Sequence, residues 1–185
     1  RKDLGLLGVQ KVLFAEAREA AKETHRYLRP AENAVLQGQA AYRSAYALKQ
    51  QGFVPDVIYG HVGFGATLFM KDLFPATPFV GYFEWYYHAH NSDADFEQPV
   101  NADDECRIRV KNLLLLSELS ACTAGVTPTY WQHRQFPPEY LSKLRVLHDG
   151  IDTDFFQPTE AVPLVLPEAG LQLPDSASLT RTEKA

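Results

Sequence analysis

His61 and Glu84 are the side chains of this sequence with the clearest chemical promise, because each ends a short apolar run. His61 lies in Pro55–Gly65, PDVIYGHVGFG, where Val57, Ile58 and Tyr59 are β-type residues and Gly60, Gly63 and Gly65 surround the imidazole. The helix-compatible run ATLFMKDLF follows. That order reads strand, tight loop, helix, with His61 at the carboxyl end of the strand. Open α/β sheets bind ligands at that edge, and glycines there let backbone N–H groups approach an anionic or sugar ligand. An imidazole so placed suits a hydrogen bond to a sugar hydroxyl or stabilisation of a charged transition state. The plainer alternative is a polar residue capping the next helix. Glu84 ends FVGYFEW, before Trp85, Tyr86 and Tyr87. A carboxylate there suits an acceptor hydroxyl, with aromatic rings to stack on a sugar. Its alternative is an internal salt bridge covered by core aromatics.

Two further groups carry less. His88 and His90 would face one side in a strand, as metal ligands do, but no cysteine or carboxylate cluster completes a site and the region reads as loop. Gly150 sits in HDGIDTDF after an apolar run, a pattern that an ordinary turn with positive φ at Gly150 also explains.

The elements that must position these residues alternate. Val9–Phe14 reads as a strand, and Glu16–Arg29 as a helix or a surface loop. Pro30 suits the first turn of a helix to about Gln50, ended by Gly52, with Val35, Tyr42 and Tyr46 on one face. The spacing predicts strands at Val57–Tyr59, Phe79–Trp85, Gly125–Thr127 and Leu144–Leu147. Between them it predicts helices at Ala66–Phe74, from an Asp103 or Asp104 cap to about Ser120, and at Thr129–Gln135. Ile108, Leu115 and Leu119 share a face of the second of these. Strands alternating with helices imply an α/β fold with a parallel sheet and helices on both faces.

The 185 residues are 45% hydrophobic and 22% charged, enough for one globular domain with a full core. A formal charge of -5 argues against nucleic acid as a partner. No apolar run approaches the roughly 18 residues that span a bilayer. Cys106 and Cys122 fall in or beside one predicted helix, 16 positions apart, which along a helix is about 24 Å at 1.5 Å per residue, too far for a disulfide. Both are therefore expected to be reduced, which points to the cytoplasm. The first residue is Arg1 and the last ones are polar, so the chain reads as part of a longer protein. Residues 1–158 form the expected domain, and the proline-containing stretch 159–185 the expected linker out of it.

Taken in order, PDVIYGHVGFG, GYFEWYY, ACTAGVTPTYWQ and LRVLHDGIDTDFFQP resemble the amino-terminal half of a family-four glycosyltransferase. The match runs from about Gly52 to Pro158, and the last motif weighs most. The resemblance implies one Rossmann-like half of a GT-B fold, on the acceptor side, with the first strand of the sheet lying before Arg1. A further carboxyl-terminal domain would hold the nucleotide-sugar donor. It also implies transfer to a carbohydrate or lipid-linked acceptor hydroxyl with retention, with His61 catalytic and Gly63, Gly65, Glu84 and Gly150 binding substrate. No metal or resident cofactor is implied, and peripheral membrane contact is compatible with the family. Phe64 and Ala66 stand where a close subgroup often has Trp and Glu. The rival readings are a non-catalytic Rossmann-like binding module and a GT-B sugar-nucleotide epimerase.

Overall fold

The computed structural model describes residues 7–157 and the backbone of Val165–Leu166 and Leu171–Gln172. The chain divides into two compact units, Arg1–His148 and Asp149–Ala185.

The described residues of the first unit begin with irregular chain. Val9–Phe14, expected as a strand, forms no strand and is exposed. Its β-type residues find no neighbouring strand among the described residues, and such propensity counts only where a pleated surface receives it. The Glu16–Arg29 stretch takes the second of its two expected forms, a series of turns. These are tied down by the Arg18–Glu32 ion pair at 2.6 Å, by the Thr24 hydroxyl on the same carboxylate, and by Ala20 N–H donating to Asn33 Oδ1 at 2.6 Å.

Helix α1, Arg29–Gln50, starts with Pro30 in its first turn, where a missing N–H costs nothing. Gly52 ends it at φ 90°, and its N–H donates to the Lys49 carbonyl at 3.0 Å. The buried face corrects the expected one. Ala34, Gly38 and Ala41 turn inward, whereas Tyr42 and Tyr46 stack on each other at 6.2 Å and Tyr46 is exposed. Small residues win this face because the chain that α1 meets comes too close for larger ones. A Cβ on Gly38 would lie 2.7 Å from the Gly65 carbonyl oxygen and 3.0 Å from the Phe69 ring.

Four strands follow: β1 Ile58–His61, β2 Phe79–Tyr82, β3 Ala124–Thr127 and β4 Leu144–Val146. They form one parallel sheet in the order β1-β2-β3-β4, with Ile58 opposite Phe79, Gly81 opposite Gly125 and Gly125 opposite Leu144. This is the expected Rossmann-like α/β arrangement. Helix α2 is shorter than its pattern, Met70–Leu73, because Gly63–Phe69 is spent on turns. The expected helix of residues 103–120 is two: α3 Ala102–Lys111 and α4 Leu113–Ala121. Asn101, not Asp103 or Asp104, caps α3, accepting from Asp104 N–H at 3.0 Å. The break falls at buried Asn112. Its side-chain amide accepts from Tyr87 N–H at 3.0 Å and donates to the Tyr87 carbonyl at 2.8 Å. Helix α5, Tyr130–Gln135, has Thr129 as its cap, and a 3-10 turn at Pro138–Lys143 leads into β4.

One sheet face carries the core. Phe79, Gly125, Thr127 and Leu144 are buried on it, with Val62 and Phe83 just past the strand ends and Leu115 and Leu119 of α4 packed over them. Phe136 closes the cluster, edge-on to Phe83 at 5.9 Å. Burying each such side chain contributes about 1.5–3 kcal/mol. The other face presents Tyr59, Val80, Tyr82, Val126 and Arg145, half-buried to exposed.

In the second unit Asp152 organises a turn, its Oδ1 accepting from Asp154 N–H at 3.1 Å and Phe155 N–H at 3.0 Å. Val165–Leu166 pairs antiparallel with Leu171–Gln172. The rest of the expected linker, 159–185, lies outside the described residues.

Candidate functional site

The carboxyl edge of the sheet is where β1 delivers His61. Alternation along the strand sends Ile58 and Gly60 toward the core face and Tyr59 and His61 away from it. Residues 83 and 84 continue from β2 the same way, so Phe83 is fully buried and Glu84 exposed. The two polar side chains therefore emerge on one side of adjacent strands. His61 Nε2 lies 3.0 Å from Glu84 Oε2, and His61 Nδ1 lies 3.1 Å from the Val62 carbonyl oxygen. Both partners are acceptors. A neutral imidazole donates through one nitrogen only, so both contacts are hydrogen bonds together when the ring is an imidazolium. Phe64 and Tyr82 flank the ring at centroid distances of 4.9 and 5.1 Å. The side chains remain 41% and 55% exposed, which leaves the pair accessible from solvent.

His61, Gly63 and Glu84 share a cavity of about 260 Å³. Its walls come from the first turns of α1 (Pro30, Ala34), from Trp85 and Tyr87, and from the end of α3 and start of α4 (Lys111, Leu115). The lining is mainly apolar and aromatic with a few converging polar groups, the usual composition of a small-molecule pocket. Lys111 Nζ sits 4.4 Å from the Tyr87 ring centroid, and burial pushes the Tyr87 phenol above its ordinary range. Gln132 Nε2 donates to the Glu84 carbonyl at 2.9 Å, which fixes the backbone that carries the carboxylate. Tyr27 closes the α1 side, and its hydroxyl is bound to the Asp103 carboxylate.

The remaining expected site residues separate by location. Gly65 is buried behind the cavity, at φ 104° and against the Ala34 backbone, so it brings the loop onto α1. Gly150 belongs to the second unit, where its φ is ordinary rather than positive and a Cβ would meet nothing within 4 Å. His88 and His90 diverge, His88 Nε2 to the Gln135 carbonyl at 2.7 Å and His90 Nε2 to Glu105 at 3.0 Å. Among the described residues no group of three or more His, Cys, Asp and Glu side chains could hold a metal ion. Glu84 is not the covered internal salt bridge of its alternative reading. His61 does not cap α2, whose first turn has no side-chain cap.

Two residues that the sequence reading passed over lie under the loop. Glu118 of α4 is 1% exposed and accepts from Gly63 N–H at 2.6 Å and from the Thr67 hydroxyl. Burial pushes its carboxyl above the ordinary range, opposed by those two hydrogen bonds and by His61. The available signal was its setting, since LLLLSELSA places one charge in the most apolar helix of the chain.

No curated protein matches the chain. The sequence model of the glycosyl transferase family 4 group matches residues 1–156, most of its length. The match agrees with the parallel Rossmann-like sheet of a GT-B half. This chain belongs to the glycosyl transferase family 4 group and is a glycosyltransferase domain.

Proposed function

We propose that this domain is the acceptor side of a nucleotide-sugar-dependent glycosyltransferase that transfers a hexosyl group with retention. The observation that carries the reading is the His61–Glu84 pair, 3.0 Å apart at the carboxyl edge of adjacent parallel strands and open to one cavity with Gly63. In this reaction the bond from the anomeric carbon to the donor phosphate oxygen breaks. A bond from that carbon to the acceptor oxygen forms on the same face, and the acceptor proton passes to the departing phosphate. Charge grows on the sugar and on the phosphate, so orientation and electrostatic stabilisation supply most of the rate. The Glu84 carboxylate accepts a hydrogen bond from an acceptor hydroxyl, and Trp85 and Tyr87 give its ring an aromatic wall. His61 holds a polar contact at the reacting sugar, oriented by Glu84 and the Val62 carbonyl. Gly63 faces the substrate, Gly65 holds the loop that carries it, and Gly150 is the further substrate-binding glycine of this reading.

The nucleotide-sugar is a co-substrate held by a further domain, so residues 1–185 alone carry no transfer activity. Neither a metal nor a resident cofactor enters this chemistry. The acceptor is a carbohydrate or a lipid-linked sugar. No described helix is long and apolar enough to cross a membrane. Both cysteines are free thiols, which supports work in the cytoplasm. The test is His61→Ala in the intact protein that carries this chain. Turnover should fall by more than about tenfold, since a positioned imidazole commonly contributes 10²–10⁴-fold. Wild-type turnover in that variant would refute the assignment. A binding module or a sugar-nucleotide epimerase would give no glycosidic product from the wild type.

A further inference from the structure

The buried network beneath the His61 loop is built for more than packing. A carboxylate 1% exposed inside an apolar helix is costly unless it is fully used. Glu118 is used at two points. One oxygen accepts the Gly63 N–H at 2.6 Å and the other accepts the Thr67 hydroxyl. The same hydroxyl oxygen lies 3.4 Å from the His61 carbonyl oxygen. The side chain thus holds the turn at Gly63 directly and fixes the Thr67 hydroxyl, which lies against the end of β1. Space is cleared for this grip, because a Cβ on Gly60 would collide with the Thr67 methyl. Gly63 itself stands at φ 86°, a conformation that turns its N–H inward to the carboxylate.

We propose that Glu118, acting with Thr67, is a positioning residue of the transfer site that sets the His61–Gly63 turn and thereby the direction of the His61 imidazole. It does not line the cavity, and nothing else described holds the Gly63 N–H. The inference rests on the proposed role of His61 for its functional meaning and on the hydrogen-bond geometry for its substance.

The test uses the intact protein with Glu118→Leu, Glu118→Gln and Thr67→Val. The readouts are amide exchange at Gly63 and the ring-nitrogen NMR signals of His61. Glu118→Leu should accelerate Gly63 exchange at least about tenfold and shift the His61 signals, with the amides of β2 and β3 unchanged. Glu118→Gln should restore both readouts to within about threefold of wild type, since its carbonyl accepts the Gly63 N–H and its amide donates to Thr67. Thr67→Val should shift the His61 signals and leave Gly63 protected. It also carries the test if Glu118→Leu does not fold. Unchanged His61 signals in Thr67→Val, or unchanged Gly63 exchange in a folded Glu118→Leu, would overturn the proposal. Neither readout involves turnover, so a fully active His61→Ala enzyme would remove the proposed function and leave this result standing.

Discussion

Replacing Gly65 by alanine is the sharpest local perturbation of the site loop. Two costs add. The residue stands at φ 104°, where an L side chain costs roughly 1–2 kcal/mol. The new Cβ would also overlap the Ala34 carbonyl oxygen and lie 2.6 Å from its carbon and 2.8 Å from its Cα. Those atoms belong to the backbone of a 22-residue helix and cannot swing aside. Overpacking of this kind costs about 1–3 kcal/mol. The sum, about 2–5 kcal/mol, is a large part of ordinary domain stability. Two glycines calibrate it. Gly52 has φ 90° but open space, so Gly52→Ala isolates the backbone cost of about 1–2 kcal/mol. Gly150 has open space and ordinary φ, so Gly150→Ala should be neutral or stabilising by up to about 1 kcal/mol. Denaturant titration of the intact protein, followed by exchange protection of residues 58–83, should rank the losses Gly65, then Gly52, then Gly150. A Gly65→Ala protein no less stable than Gly52→Ala would refute the close approach of the loop to α1.

Glu118 gives a pH dependence of definite sign. Burial raises its folded-state pKa above the ordinary 4.5. The folded state therefore binds more protons between 4.5 and the raised value. The stabilisation is complete below 4.5 and is lost as pH rises through the folded value. Unfolding titrations from pH 4 upward should show Glu118→Gln gaining on wild type, and a constant difference would contradict the burial argument. Cys106 is exposed, whereas Cys122 is buried, its thiol pushed up by burial. Iodoacetamide should label the first in the native protein and the second only on unfolding. Equal labelling would place Cys122 wrongly. Asn101→Ala should cost about 1 kcal/mol by unfolding titration, as loss of a helix cap does, while Asp103→Ala leaves that cap intact.

The sheet was legible because its signals are local. VIY, FVGYF and LRVL are apolar runs closed by glycine, proline or polar residues, and in a parallel sheet such runs have few other uses. His61 and Glu84 followed from the same reading, since the end of a strand fixes which edge a side chain reaches. What was not legible depends on partners. The buried face of α1 is set by a loop carbonyl passing close to Gly38, which no periodicity announces. Val9–Phe14 has strand composition and no strand beside it among the described residues. The choice of Asn101 over two neighbouring aspartates, and the break at Asn112, depend on which backbone groups each side chain finds. Glu118 was hidden for the opposite reason, since its chemistry lies in contacts 51 and 55 residues away in sequence.

The most direct test of the central claim is transfer itself. The intact protein is incubated with a panel of nucleotide-sugars and candidate saccharide or lipid-linked acceptors. Nucleotide release, product mass and anomeric configuration are read for wild type and for a folded His61→Ala variant. The account predicts a glycosidic product with the donor's anomeric configuration from wild type, and at least about tenfold less from the variant. Product of inverted configuration, or equal rates from the two proteins, would contradict it.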